Sequence, residues 1–288
     1  MRVEKKKLWV TLFVGPALFF ISIYLLYPSI HTIVLSFMDK RSENFIGLEN
    51  YVYAFTSKTM LTAFGNNLLW LVFFTSFTVG IGLLLAILVD RVKYEQLAKS
   101  VIFMPMAISF VGAGVVWKFI YSYKPMGTSQ IGLLNHIMVS FGFQPVGWLI
   151  QNPLNNFALI FVGVWIWTGF CMVILSASYK GIPKALMEAG RIDGANEWQV
   201  FRHIIFPSMK PTIAVVATTM IVNVLKIFDI VYVMTNGNFR TEVIANRMYK
   251  EMFQYRNYGR ASAIAVVLFI FIVPVIVINI KRMRGDEA

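Results

Sequence analysis

One cysteine, three histidines and 14 acidic residues are all that this 288-residue sequence contains of those types. Cys171, alone in an apolar run, excludes an intrachain disulfide framework and a cysteine-built metal site. His31, His136 and His203 are not set beside a carboxylate or cysteine in a metal-binding or nucleophile pattern. The dipeptide Gly-Lys is absent, so the chain has no phosphate-binding loop of the form G-x-x-x-x-G-K-[ST]. Charged residues make up only 14%, against roughly 25% in soluble domains. With 58% hydrophobic residues and a mean hydropathy of +0.67, the chain has more apolar surface than one soluble domain of this length buries.

What the sequence does have is long apolar runs, near 8–27, 63–89, 101–121, 157–179, 212–234 and 261–280. About 20 apolar residues in a helix cross a hydrocarbon core of about 30 Å. The runs are too long, and too uniformly apolar, for barrel strands. The expectation is an all-α integral membrane protein with six transmembrane helices. The basic start, 1–7, followed by an apolar run resembles a secretory leader. Phe19, Phe20 and Tyr24 stand where a cleavage site needs small residues, so this run reads as a retained first span.

Six spans put both termini on one side. Fifteen of the 26 Lys and Arg residues flank that side, beginning with Arg2, Lys5, Lys6 and Lys7; ten flank the other, and Lys226 lies inside a span. The positive-inside rule then predicts cytoplasmic N and C termini, and the formal charge of +12 reads as topology rather than as a nucleic-acid signal. Pro105 in the third span is expected to be a tolerated kink or a hinge, and Pro274 sits in the sixth. A first unit, 1–62, holds the first span and an outer loop; a core, 63–283, holds the rest.

Between the fourth and fifth spans, 181–211 reads GIPKALMEAGRIDGANEWQVFRHIIFPSMKP. Pro183 suits a first helical turn. Ala185, Leu186, Ala189 and Ile192 form an apolar stripe, with Lys184, Glu188 and Arg191 at neighbouring helical spacings. Gly194 permits a turn. Asn196 can cap a second short helix carrying Trp198, Phe201, Ile204 and Ile205, stopped by Pro207 and Pro211. The apolar faces of this helix-turn-helix need a cover, either the chain's own helix ends or another chain.

The segment Glu188-Ala189-Gly190, followed by Gly194 and then by Ile204-Ile205-Phe206-Pro207, resembles the EAA loop of binding-protein-dependent ABC importer permeases. Gly190 stands where Ala is usual and Phe206 where Leu is usual. FIGLENYVYAF (45–55), NNLLWLVFFT (66–75), MPMAIS (104–109) and FDIVYVMTNG (228–237) resemble the carbohydrate-importer branch, in the same order over more than 200 residues. In that branch TNG is usually followed by Gly-Pro; here Asn238 and Phe239 follow.

The resemblance implies a type-1 ABC importer permease fold in a bacterial inner membrane, and a sugar or sugar-like osmolyte as cargo. It implies a homologous second permease subunit, two ATP-binding cassette subunits that hold ATP and Mg, and an extracytoplasmic substrate-binding protein. This chain would be non-catalytic and hold no cofactor of its own. Glu188, Ala189, Gly190, Asp193 and Gly194 would couple it to the ATPases. The family's substrate-lining positions would fall on Gly163, Ile166, Trp167 and Phe170, and on Met220, Asn223, Val224 and Ile227.

Charges inside a span carry functional expectations. Lys226 and Asp229 lie at i, i+3, close enough on one helical face to pair; substrate contact and a structural ion pair are both open. They are also the only features favouring an ion-driven secondary transporter. A membrane enzyme ranks below both.

Overall fold

The computed structural model describes residues 13–285, with side chains to 277. The basic stretch 1–7, residues 8–12 of the first span and the side chains of Lys281, Arg282 and Arg284 lie outside the described residues.

The helices are α1 (Phe13–Leu35), α2 (Glu49–Thr56), α3 (Lys58–Val89), α4 (Glu95–Phe103), α5 (Phe110–Ile120), α6 (Leu133–Ser140), α7 (Leu154–Lys180), α8 (Lys184–Ile192), α9 (Glu197–Leu225), α10 (Asp229–Met234), α11 (Ile244–Tyr249) and α12 (Tyr258–Gly285). Among the described residues, α1, α3, α7, α9 and α12 are long and apolar enough to cross a membrane, and the pair α4 and α5 makes a sixth crossing if counted as one.

That pair corrects the third span. The chain bends by 96° between α4 and α5. A 3₁₀ turn, Met104–Ala107, carries the buried Pro105, and Ile108 is extended. Ser109 then restarts the helix, its Oγ accepting the Gly112 N–H at 3.1 Å. Proline has no N–H to give its own turn, and Ser109 supplies an N-cap a few residues later, so the span breaks rather than kinks.

The chain forms two compact units. One comprises the described residues up to 60 together with Arg247–Ile270; the other comprises Leu61–Asn246 and the described residues from 271 onward. The sequence division at 62 lies beside the first boundary, and 247–270 joins the first unit.

In the larger unit α7 is the central helix, buried on most of its faces, with Leu159, Ile166, Met172 and Leu175 fully enclosed. A helix apolar all round needs neighbours all round. Small residues let them approach. A Cβ on Gly169 would lie 2.5 Å from the Ile102 carbonyl oxygen, and one on Gly82 would lie 2.7 Å from the Cys171 Cβ. Close backbone approach at small residues is how membrane helices gain packing contacts where apolar burial supplies little. Cys171, buried against Gly82, is therefore a packing residue.

Asparagines pin the loop before α11. Asn66 Nδ2 donates to the Arg240 and Glu242 carbonyls at 2.8 and 2.7 Å, and Asn155 Nδ2 donates to the Phe239 carbonyl at 2.7 Å. Phe239 and Arg240 there have φ of +54° and +63°, a conformation that proline, with φ fixed near −65°, does not adopt at 239, so the loop takes a different path from one built on Gly-Pro. Asn66 from α3 and Asn155 from α7 hold this left-handed backbone in place.

In the smaller unit, Asp39 organises the turn after α1. Its carboxylate accepts from Asn44 Nδ2 at 2.8 Å and from the Glu43 and Arg41 N–H groups at 2.9 and 3.1 Å. The Asn44 side chain first, then these backbone donors, hold it below the ordinary carboxylate range. Asn50 Nδ2 donates to the Ser36 and Met38 carbonyls at 2.9 and 2.7 Å, tying α2 to the end of α1.

Candidate functional site

The fifth span does not run to 234. It stops at Leu225; Lys226 closes the last turn, and Phe228 (φ −142°, ψ −61°) turns the chain before α10 starts at Asp229. Neither Pro nor Gly stands at 225–229. The freed backbone is partly satisfied from α3, whose Asn67 Nδ2 reaches the Val224 carbonyl at 3.4 Å while its Oδ1 accepts the Ile244 N–H at 2.9 Å. Non-helical backbone at membrane depth is tolerated where protein or a cavity receives it.

A cavity of about 90 Å³ opens at this break, lined by Phe74, Phe110, Gly163, Trp167, Asn223, Val224, Lys226, Ile227, Phe228, Asp229 and Ile230. Gly163 leaves the room: a Cβ there would lie 3.0 to 3.1 Å from the Trp70 and Phe74 rings. Trp167 stacks on Phe110, with ring centroids 5.8 Å apart, and meets Phe170 edge-on at 5.5 Å. The arrangement combines aromatic faces, one amide, one cation and one anion around a small space.

Of the sequence-predicted path residues, Gly163, Trp167, Asn223, Val224, Lys226, Ile227 and Asp229 line this cavity. Ile166 and Met220 do not; both are fully buried in the core, about a turn along α7 and α9 from the lining residues Gly163 and Val224. Phe170 does not line it either, its ring meeting that of the lining residue Trp167 edge-on. Lys226 and Asp229 form no ion pair with each other, because the helical register that would align them ends at Leu225. Phe74, Phe110, Phe228 and Ile230 escaped sequence reasoning. Phe74 and Phe228 sit inside stretches that drew attention for other reasons, and Phe110 follows a third.

The second element is the helix pair 181–211. Pro183 precedes α8, Gly194 (φ +87°) makes the turn, and Asn196 caps α9 reciprocally with Gln199 at 2.8 and 2.9 Å. A Cβ on Gly190 would lie 2.6 Å from Ile204 Cδ1, so glycine lets the two helices close on each other. Glu188, Ala189, Asp193 and Gly194 are exposed and Gly190 is half-buried.

Pro207 and Pro211 do not stop the second helix, which continues into the span as one helix to Leu225. A π turn at Phe201–Ile205 lies just before the two prolines, and such a widened turn loosens the ladder where their missing N–H groups interrupt it. Arg191 pairs across the turn: its Nε donates to Glu197 Oε1 at 2.8 Å, and Arg91 Nη2 donates to Glu197 Oε2 at 2.8 Å. Lys180 bridges Asp90 and Glu95 at 3.5 and 2.6 Å, and Lys99 bonds Glu95 and Ser176. These ion pairs, which sequence spacing alone does not show, tie the helix pair and α4 to the ends of α3 and α7.

Met187, Val200 and Ile205 supply the buried side of the pair. Ala185, Leu186, Ala189 and Ile192 face outward, with Ile192 86% and Trp198 65% exposed. The chain's own bundle does not cover this stripe.

Comparison with known proteins places these features in company. Residues 78–282 match the model of the family described as "Binding-protein-dependent transport system inner membrane component". The chain is similar to the osmoprotective compounds uptake permease protein GgtC of Synechocystis sp., 60% identical over 96% of this chain and 99% of that one. It is also similar to the alpha-glucoside transport system permease protein AglF of Rhizobium meliloti, 47% identical over 96% of this chain and 82% of that one. A chain of a bacterial ABC transporter that imports the acidic polysaccharide alginate shares the fold with a TM-score of 0.83, over 100% of this chain and 99% of that one, at 23% identity.

Proposed function

The chain belongs to the family of binding-protein-dependent transport system inner membrane components, and on that premise we propose that its cargo is a neutral glycoside, of the α-glucoside or glycosylated-polyol class. As a member it is a multi-pass permease subunit of an ABC importer in the inner membrane. The reading of the cargo draws support from the similarity to permeases named for α-glucosides and for osmoprotective compounds. It also draws support from a cavity whose single cation and single anion leave it without net charge.

The coupling stripe carries the mechanistic half of the proposal. Leu186, Ile192 and Trp198 lie exposed beside the Gly194 turn, where an ATPase subunit would cover them. Glu188, Ala189, Gly190, Asp193 and Gly194 would transmit its closure. This chain would catalyse nothing itself: two partner ATPases would hold ATP and Mg, and an extracytoplasmic binding protein would deliver the solute. A homologous second permease would complete the path, since about 90 Å³ falls well below the roughly 300–1,000 Å³ of ligand pockets. Opening would then widen the cavity at the hinge between α9 and α10, exposing Trp167 and Asn223 to the solute.

The test is reconstitution with the neighbouring transport subunits, followed by a screen for solutes that stimulate ATP hydrolysis. Neutral α-glucosides or glycosylated polyols are expected to stimulate. Stimulation by acidic sugars alone would overturn the cargo reading. Uptake that needs no ATP would favour the rival, an ion-driven transporter using Lys226 and Asp229.

A further inference from the structure

A cavity in the smaller unit shares no lining residue with the proposed path. It measures about 620 Å³ and is lined by Asp39, Lys40, Ile46, Glu49, Asn50, Arg247, Glu251, Tyr255, Asn257 and Arg260. Its size lies within the usual range of ligand pockets. Its walls are rigidly built. Tyr53 Oη donates to Glu251 Oε1 at 2.8 Å, and Arg247 Nη2 donates to Tyr53 Oη at 2.6 Å and to Glu251 Oε1 at 2.5 Å. The Arg260 guanidinium carbon lies 4.0 Å from the centroid of the Tyr53 ring, and that of Arg247 lies 5.0 Å from the Tyr255 centroid. Burial, and then the Glu251 carboxylate, push the Tyr53 hydroxyl above its ordinary pKa, so it stays a donor at neutral pH.

The chemistry of the lining selects a ligand class. Lys40, Arg247 and Arg260 oppose Asp39, Glu49 and Glu251, so the lining carries no net charge and rewards neither an anion nor a cation. Asp39, Arg247 and Glu251 are held by protein partners, whereas the Lys40 ammonium, the Glu49 carboxylate and the Arg260 guanidinium make no hydrogen bond or ion pair among the described residues. Donors and an acceptor therefore stand ready around one space. A hydroxyl both donates and accepts, and hydrogen bonds to charged groups are the stronger kind. Tyr255, 48% exposed, offers a ring face for the C–H surface of a sugar.

We propose that this cavity is a second solute site, binding a neutral polyhydroxylated ligand through Lys40, Glu49 and Arg260. The proposal rests on the glycoside cargo named above for its choice of ligand, and on the cavity alone for its existence.

The chain's single cysteine, Cys171, is buried, so Ile46→Cys places one reactive thiol on the cavity wall. The importer without its binding protein, in lipid nanodiscs, is labelled with a maleimide in the presence of sucrose, trehalose or glucosylglycerol, or of glycine betaine, which has no hydroxyl, and uptake of the same solutes by the same variant is measured in proteoliposomes with the binding protein supplied. Labelling is expected to slow several-fold with at least one glycoside and not with betaine, and Arg260→Gln is expected to abolish the protection. Asn257→Cys, also on the lining and given no ligand role, serves if Ile46→Cys does not assemble. Equal labelling rates with every glycoside, in an importer that still takes one up, overturn the site and leave the cargo reading standing. Protection without uptake of any glycoside overturns the cargo reading and leaves the site. Equal protection by betaine overturns the ligand class, and absence of both protection and uptake overturns both proposals.

Discussion

At the scale of single residues, glycines decide most. Gly194, at φ +87°, occupies backbone that an L side chain adopts only at a cost of roughly 1–2 kcal/mol. No atom lies within 4 Å of a Cβ built there, so a substitution strains the turn without a clash. Gly194→Val is expected to leave the protein in the membrane while uncoupling ATP hydrolysis from uptake; solute-stimulated uptake at the wild-type rate would refute the coupling role. Gly169→Val is a contrasting case, since its Cβ meets the Ile102 carbonyl and the Phe103 backbone, atoms that cannot swing aside. Overpacking of this kind typically costs about 1–3 kcal/mol, and a fall in thermal stability of the detergent-purified chain would register it. Trp167→Ala removes the ring that stacks on Phe110 in the cavity proposed as part of the path. It is expected to weaken apparent affinity or rate of uptake several-fold at unchanged membrane level, and unchanged transport would count against the site. The glycine positions were visible in the sequence, but not the neighbours each one admits.

At the scale of elements, the coupling pair and the broken fifth span behave differently as readings. The pair was legible: Pro183, Gly194 and Asn196 are local signals, and the cap, the turn and the exposed stripe follow from them. Its anchorage was not. Arg91 is distant in sequence from Glu197, and only the fold brings it to 2.8 Å. These pairs are half exposed, so each contributes at most about 1 kcal/mol to stability. Glu197→Gln is therefore expected to change thermal stability little, yet to loosen the register of the pair and lower uptake per ATP hydrolysed. Raised ionic strength should reduce coupling in the wild type and have less effect in the variant; equal salt responses would rule out the clasp. The break at 226–228 had no local signal, since neither Pro nor Gly marks it, and the i, i+3 spacing of Lys226 and Asp229 misled for that reason.

At the scale of the whole molecule, the proposed function makes transport a property of the assembled importer. Uptake by the assembled importer is expected to vanish without hydrolysable ATP and to survive collapse of the ion gradients, and the opposite pattern would favour the secondary transporter. What the sequence determined by itself is the set of elements and the family: apolar runs must be spans because lipid leaves their backbones no other partner, and short motifs in fixed order identify the kind of importer. Five of the crossings follow from such runs, and so does the existence of the sixth. Tertiary structure decided where helices break, which of the proposed path residues share a cavity, and that 247–270 joins the first unit in walling a second, polar cavity. The physical reason is range. Propensity, capping and hydropathy act within a few residues, whereas Asn67 on the Val224 carbonyl, Arg91 on Glu197 and Tyr53 on Glu251 are bonds between segments remote in sequence, which exist only once the chain has packed.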